Sequence, residues 1–131
     1  MGIKEARKDK ADYIRDIVLS ANDGVITTFA IVAGSLGASL SPSVVVILGL
    51  ANLFADGLSM STGAYLGVKS EIEYEQSSGE KIEVGKRPML NAIVSFIAFG
   101  LAGFIPLISY LFKLSNEFGL SVILVIVALI I

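Results

Sequence analysis

The chain has 131 residues, of which 54% are hydrophobic and only 17% are charged, whereas a soluble domain carries about 25% charged residues. Its mean hydropathy is +0.79, and no Lys or Arg occurs between Asp16 and Tyr65. A soluble protein distributes charge over every surface element, so this pattern excludes the soluble classes and indicates a membrane protein. The net charge of −2 and the absence of a basic patch among aromatic residues argue against nucleic-acid binding. Without Cys or His, disulfides and tight zinc or copper sites are not expected.

The apolar pattern predicts an all-α, polytopic transmembrane helical bundle that forms a single domain over residues 1–131. A span needs about 20 largely apolar residues. The predicted spans are 17–40, 43–68, 89–112 and 116–131. The polar residues before the first span form an amphipathic helix without the features of a signal peptide. Pro42 is expected in the first turn of the second helix, where its missing N–H is not needed.

Two further features concern the polar end of the second span and the last apolar stretch. Residues 69–88 form a charged connector, with a break expected at residues 77–79. Glu71 and Glu75 are one helical turn apart, so they could continue the second helix beyond the membrane. The last apolar stretch stops at Ile131, and we expect a complete gene product to continue it.

The distribution of basic residues predicts the orientation of the bundle. Nine of the ten Lys and Arg lie in the N-terminal segment and the connector, which fall on the same side after two spans. The positive-inside rule assigns that side to the cytoplasm. We therefore expect a multi-pass protein with a cytoplasmic N-terminus, in a plasma membrane or a vacuolar-type membrane.

Two aspartates, Asp23 and Asp56, occur within predicted spans, where an ionised side chain costs about 2.5–3.5 kcal/mol on insertion scales. Residues three, four and seven apart share one face of a helix. Two polar stripes follow from this spacing. The first comprises Asp16, Ser20, Asp23 and Thr27, and the second comprises Asn52, Asp56, Ser59, Met60 and Gly63.

The tight turn between the first two spans makes them antiparallel, so the two stripes are expected to meet. Carboxylates, an amide oxygen and a thioether form a divalent-cation site of intermediate hardness, suited to Fe²⁺ or Mn²⁺. The candidate metal residues are Asp23, Met60, Asp56, Asn52 and Asp16. Glu71 and Glu75 are added because acidic groups at a cytoplasmic mouth concentrate cations. Burial favours the protonated form of a carboxylate, so metal release and protonation are expected to be linked.

Each candidate also has an ordinary structural interpretation. Hydroxyl groups in membrane helices often bond a neighbouring helix, which is the alternative for Ser59, Ser61 and Thr28. Met60 could be a packing residue, and Asp16 could cap the interfacial end of its helix. The acidic connector could be a solvated face. Small-residue spacing at Gly34, Gly37, Gly63, Gly67, Gly100 and Gly103 predicts close helix packing, within or between subunits.

The motifs DGVITTFAIVAG and ADGLSMSTGAYLGVKSE are similar to the first two spans of the vacuolar iron transporter family, and GLAGFIPLISYLF resembles its third span. The resemblance covers about residues 12–131. It implies export of Fe²⁺, and often Mn²⁺, from the cytoplasm in exchange for protons. It also implies a five-span fold and a homodimer with the pathway near the two-fold axis. By position, Asp16, Asp23 and Met60 match pathway residues of that family.

The chain departs from the family pattern in three ways. Asn52 stands where plant members have a glutamate, and Asp56, one turn on, is the candidate replacement. The connector 69–88 replaces a three-helix, Glu- and Met-rich metal-binding domain. The fifth span is absent from the sequence.

The leading hypothesis is a proton-coupled Fe²⁺ or Mn²⁺ transporter, with the metal as substrate, no cofactor, and lipid and a second copy as partners. A non-transporting assembly subunit is the alternative, favoured by the glycine-rich helices. An intramembrane aspartyl protease also needs paired carboxylates, but its sequence contexts are missing around Asp23 and Asp56, so we do not expect an enzyme.

Overall fold

The computed structural model describes residues 2–79, 85–112 and 116–131. They form α1 (Gly2–Gly37), α2 (Pro42–Ser77), α3 (Pro88–Phe104), a 3₁₀ turn (Ile105–Leu107), α4 (Ile108–Leu111) and α5 (Glu117–Ile130). No strand occurs in this part of the chain, and the predicted all-α class is confirmed. Connector residues 80–84 and residues 113–115 of the last turn lie outside the described residues.

Within the described residues, three helical segments are long and apolar enough to cross a membrane: Lys10–Gly37, Pro42–Ser77 and Pro88–Leu111. The fourth apolar helix, α5, is shorter. Large apolar side chains such as Ile47, Phe54 and Leu101 point outwards and are exposed, as lipid-facing surfaces require. The predicted helical membrane bundle is therefore confirmed, while its treatment as one domain stays a prediction.

The turn between α1 and α2 is closed by backbone hydrogen bonds. Ser39 adopts the left-handed conformation with φ of 57°, and the Leu40 N–H donates to the Ser35 carbonyl at 2.9 Å. This is a Schellman motif, and it ends α1 at Gly37, before the predicted limit of the span. Pro42 then occupies the first turn of α2, as predicted. The short turn makes α1 and α2 antiparallel.

Helix α2 continues well beyond the apolar part of its sequence. Its 36 residues span about 54 Å, which exceeds the roughly 30 Å of a bilayer core. The predicted break at residues 77–79 is confirmed, because α2 ends at Ser77 and Gly79 has a φ of 70°. The last turns of α2 therefore project from the membrane and carry Glu71 and Glu75.

Helix α3 packs against both α1 and α2. Its buried residues recur every fourth position: Asn91, Ser95, Phe99 and Gly103. The closest approach is at Gly24 of α1, where an added Cβ would collide with the Phe99 carbonyl oxygen and lie 3.1 Å from the Gly103 nitrogen. An added Cβ at Gly103 would lie 2.8 Å from the Gly24 oxygen. Two glycines thus bring α1 and α3 into backbone contact.

The other glycines divide into two groups. Gly49 and Gly57 face the side chains of Leu107 and Phe96. Around Gly34, Gly37, Gly63, Gly67 and Gly100, nothing in the described chain lies within 4 Å of an added Cβ. Of the glycines singled out by spacing, Gly103 alone therefore meets a neighbouring helix in the described part of the protomer.

The core lies where α1, α2 and α3 converge with α4. It contains Val32, Val45, Leu53, Phe99, Leu107 and Tyr110. Pro106 cannot donate an N–H, and the helix tightens there into the 3₁₀ turn. The Ser121 hydroxyl of α5 donates to the Pro106 carbonyl at 2.9 Å, which ties α5 to this bend.

Candidate functional site

A surface groove with a volume of about 410 Å³ lies between the middle parts of α1 and α2, with α3 contributing one buried serine. Its lining residues are Asp16, Leu19, Ser20, Asp23, Asp56, Ser59, Met60, Gly63, Ala64 and Ser95. Asp16 and Asp23 are seven residues apart on α1, which corresponds to about 10 Å along the helix axis. The groove therefore extends over about two helical turns within apolar segments.

The structure brings four of the seven predicted metal residues together in this groove. Asp16 and Asp23 come from α1, and Asp56 and Met60 come from α2. Asp23 is exposed at the protomer surface, whereas Asp56 and Met60 are half-buried. The antiparallel arrangement of the two polar stripes thus creates one acid-lined surface, as the helical spacing predicts.

Asp16 has partners on both of its carboxylate oxygens. The buried Asn91 of α3 donates its amide N–H to Asp16 Oδ2 at 3.0 Å, and Arg15 Nη2 donates to Asp16 Oδ1 at 3.4 Å. Helix α1 is continuous from Gly2, so Asp16 lies inside the helix and the interpretation as a helix cap is wrong. The Asp16 side chain is 22% exposed, so it remains accessible from the groove.

The hydroxyl groups on these helices differ in their bonding. Thr27 donates to the Asp23 carbonyl at 2.8 Å, and Ser61 donates to the Leu58 carbonyl at 3.0 Å. These bonds stay within one helix, so Ser61 does not show the bond to a neighbouring helix that was its structural alternative. The buried Thr28 hydroxyl has no hydrogen-bond partner in the described chain. Ser59 lines the groove instead.

Asn52 does not line the groove, although it shares a helical stripe with Asp56. Its amide nitrogen is buried without a hydrogen-bond partner among the described residues. The next residue, Leu53, belongs to the core and packs where Gly103 meets α1. At the level of Leu53 the helices pack directly against one another, so the groove ends at Asp56, about one turn from Asn52.

Glu71 and Glu75 lie outside the groove and form ion pairs with a lysine of the same chain, Lys86. Lys86 Nζ is 3.2 Å from Glu71 Oε2 and forms a short ion pair with Glu75. The side chains of Lys86 and Glu75 are only 13% and 15% exposed. Burial by itself lowers the pKa of Lys86, but the hydrogen bonds and charges of Glu75 and Glu71 outweigh it and raise that pKa well above its usual range. Lys86 therefore stays charged and balances one of these two acids.

The described part of the chain does not bring three carboxylates into one ligand sphere. Within the described residues, no group of three or more acidic side chains is close enough to hold a metal ion. The carboxylates of Asp16, Asp23 and Asp56 are instead distributed along the groove. Such an arrangement offers successive weak contacts to a cation.

Sequence reasoning missed the contribution of α3. Asn91 and Ser95 are both buried, and they contact or line the groove. Polar residues four apart near the start of an apolar span were the available signal. The close approach at Gly24, which places α3 against α1, was also not identified.

A helical membrane bundle with an acid-lined groove at the depth of its spans defines a polytopic membrane protein whose site suits cations. Residues 14–84 match the sequence model of the VIT family. The chain belongs to the VIT family.

Several named relatives are similar to this chain. A vacuolar iron transporter of Toxoplasma gondii is 41% identical over 73 residues, which are 56% of this chain and 24% of the relative. Vacuolar iron transporter 1 of Eucalyptus grandis is 40% identical over 70 residues, covering 53% of this chain and 28% of the relative. Vacuolar iron transporter homolog 4 of Arabidopsis thaliana is 31% identical over 127 residues, covering 92% of this chain and 64% of the relative.

The chain thus spans about a quarter of the first two relatives and less than two thirds of the third. The Arabidopsis alignment must include the connector and α3, because it covers nearly the whole chain. No solved structure shows significant similarity to the chain.

Proposed function

We propose that the chain is the membrane part of a transporter that moves Fe²⁺, and also Mn²⁺, out of the cytoplasm in exchange for protons. The observation that carries the proposal is the groove, which places Asp16, Asp23, Asp56 and Met60 on one surface within membrane-spanning helices. The names of the matched relatives, vacuolar iron transporters, agree with this ligand set.

The ligand chemistry supports a divalent cation of intermediate hardness. Carboxylate and hydroxyl oxygens suit Mn²⁺ and Fe²⁺, and the Met60 thioether favours Fe²⁺ over Mg²⁺ or Ca²⁺. The carboxylates lie at successive positions along the groove, which suits a cation that moves through and must also be released. Metal ligands have to be deprotonated, so protons that bind the carboxylates would displace the metal and couple the two fluxes.

We propose that the groove is closed by a second copy of the chain. A carboxylate that faces lipid costs about 2.5–3.5 kcal/mol, and Asp23 is exposed at the protomer surface. Gly63, in the groove, and Gly67, one turn further along α2, both have open space around them. Small residues of this kind let helices of two subunits approach closely. In this homodimer, ligands from both copies would surround one pathway.

The orientation follows from the charges. The basic N-terminal part of α1 and the connector near Lys86 lie at the same end of the bundle, and the positive-inside rule places this end in the cytoplasm. The Asp16 end of the groove is then the cytoplasmic mouth. Metal would enter there and pass Asp23 and Asp56 towards the other side.

The test is flux through the full chain reconstituted in liposomes, with a metal-sensitive dye and a pH-sensitive dye inside. Asp23→Asn removes a proposed ligand, whereas Asp12→Asn is the matched control, because Asp12 is on the same helix but outside the groove. We expect Asp23→Asn to lower Fe²⁺ flux and proton counterflow at least about tenfold, since even outer-shell partners of a metal contribute that much. Equal flux in the two variants would refute the site.

The same experiment separates the transporter from the assembly subunit. Open glycine surfaces such as Gly63 and Gly67 also suit a scaffold. Dimerisation without metal flux in the wild-type chain would favour that alternative. A protease is not proposed, since the matched relatives are named transporters.

A further inference from the structure

We propose that Asn91 is a positioning residue that orients the Asp16 carboxylate for capture of the transported cation. The inference rests on the proposed function and concerns the mouth of the groove. Asn91 lies on α3, one turn before Ser95, which lines the groove.

The contact between Asn91 and Asp16 is partly buried and joins two helices. Asn91 is 7% exposed, and its Nδ2 donates to Asp16 Oδ2 at 3.0 Å across 75 positions of sequence. An ionised carboxylate can only accept hydrogen bonds, so the amide must present its nitrogen to it. A donor on an ionised acceptor forms one of the stronger hydrogen bonds in proteins.

The two oxygens of Asp16 are held differently. Oδ2 is fixed by the buried Asn91, whereas Oδ1 has a 3.4 Å contact with Arg15, whose side chain is 64% exposed. Ion pairs of exposed side chains contribute little free energy. A divalent cation can therefore replace Arg15 at Oδ1, while Asn91 keeps the carboxylate pointing into the groove.

The residue type at position 91 suits this role. An amide supplies a donor without a charge, so it holds the carboxylate and does not compete with the cation, as a lysine would. The packing of α1 against α3 has a second close contact, at Gly24 and Gly103, where the two backbones meet.

The experiment is a double-mutant cycle on the full chain. Mn²⁺ affinity is measured in detergent by electron paramagnetic resonance, and the half-saturating Mn²⁺ concentration and maximal rate are measured in liposomes. Asn91→Leu keeps the branched shape of the side chain but removes the donor, Asn91→Gln keeps an amide, and both are made with and without Asp16→Asn. Ser109→Ala is the control, because Ser109 is a buried polar residue of α4 outside the groove.

We expect Asn91→Leu to weaken Mn²⁺ binding and raise the half-saturating concentration at least about tenfold, with a smaller change in maximal rate. Asn91→Gln should recover part of this loss. In the Asp16→Asn background, Asn91→Leu should have no further effect, because residues that act through one another are not additive. Ser109→Ala should bind Mn²⁺ like the wild type.

Three results would overturn the inference: unchanged Mn²⁺ affinity in Asn91→Leu, an equal loss in both backgrounds, or no Mn²⁺ binding by the wild type. The measurement of Mn²⁺ affinity decides the inference even if the wild-type chain gives no flux. The absence of flux would refute only the proposed function. Flux in the wild type with an additive cycle would refute only the role of Asn91.

Discussion

The crossing of α1 and α3 gives the sharpest stability prediction, because the two backbones touch at Gly24. An added Cβ would collide with the Phe99 carbonyl oxygen and lie 3.2 Å from the Phe99 carbonyl carbon. Backbone atoms cannot rotate away as a side chain can. Restoring the usual carbon–carbon separation of about 3.5–4.0 Å requires the helices to part by about 0.3–0.8 Å at this point.

Gly24→Ala should therefore destabilise the bundle, and Gly100→Ala is the matched control on the facing helix. Both changes gain the same helix propensity, roughly 1 kcal/mol, so their difference isolates the collision. Nothing in the described chain lies within 4 Å of an added Cβ at Gly100. Overpacking typically costs about 1–3 kcal/mol, and we expect a difference of that size.

The assay is reversible unfolding of the full chain in mixed micelles, followed by circular dichroism as denaturing detergent is increased. Gly24→Ala should unfold at lower detergent than the wild type, and Gly100→Ala at the same or higher detergent. Equal unfolding free energies for the two variants would refute the backbone contact between α1 and α3.

Three further predictions concern other parts of the chain. Lys86→Gln should accelerate amide hydrogen exchange in the last two turns of α2 about tenfold, because it removes charge-assisted hydrogen bonds. The raised pKa of Lys86 keeps this residue charged at every pH below its unfolded pKa of about 10.4. Protection of the wild-type amides should therefore not change between about pH 6 and pH 9, and a marked change in that range would contradict the ion pair. Ser39→Gly should raise the unfolding free energy by roughly 0.5–1 kcal/mol, because a non-glycine residue is strained at a φ of 57°; a loss of stability in the micelle assay would contradict the turn geometry. Met60→Leu should lower the preference for Fe²⁺ over Mg²⁺ roughly three- to tenfold in competition flux assays, and an unchanged preference would show that the sulfur is not a ligand.

The helices and the acids of the groove could be predicted because their signals are local. Apolar length identifies the spans, and the spacing of three, four and seven puts Asp16 with Asp23 and Asp56 with Met60. The tight turn at Pro42 then requires the two stripes to face each other. No long-range information is needed for these steps.

The contribution of α3 could not be predicted in the same way. Asn91 meets Asp16 across 75 positions of sequence, and the pairing depends on how α3 is registered against α1. That register is set by the contact of Gly24 with Gly103, and a glycine in sequence does not show which helix it will meet. In the sequence, Asn91 is a single polar residue near the edge of a predicted span, and nothing indicates its partner.

The acidic residues of the connector were the second feature whose role the sequence could not predict. The sequence allows Glu71 and Glu75 to be metal collectors or a solvated face balanced by nearby cations, but it does not show that Lys86 pairs with both acids. Lys86, in the last part of the connector, lies beside both acids. Their assignment as metal residues stays a prediction, which now requires a cation to displace Lys86.

The central claim is that a divalent cation occupies the groove, and cysteine protection tests it most directly, because the natural chain has no Cys. Ser59→Cys places a thiol in the groove, and Ser61→Cys places one two residues away on the same helix, outside the groove. We expect Mn²⁺ to slow reaction of a charged thiol reagent with Ser59→Cys in liposomes, and the modification to stop flux, while Ser61→Cys shows neither effect. Equal reaction rates with and without Mn²⁺ at Ser59→Cys would contradict the account.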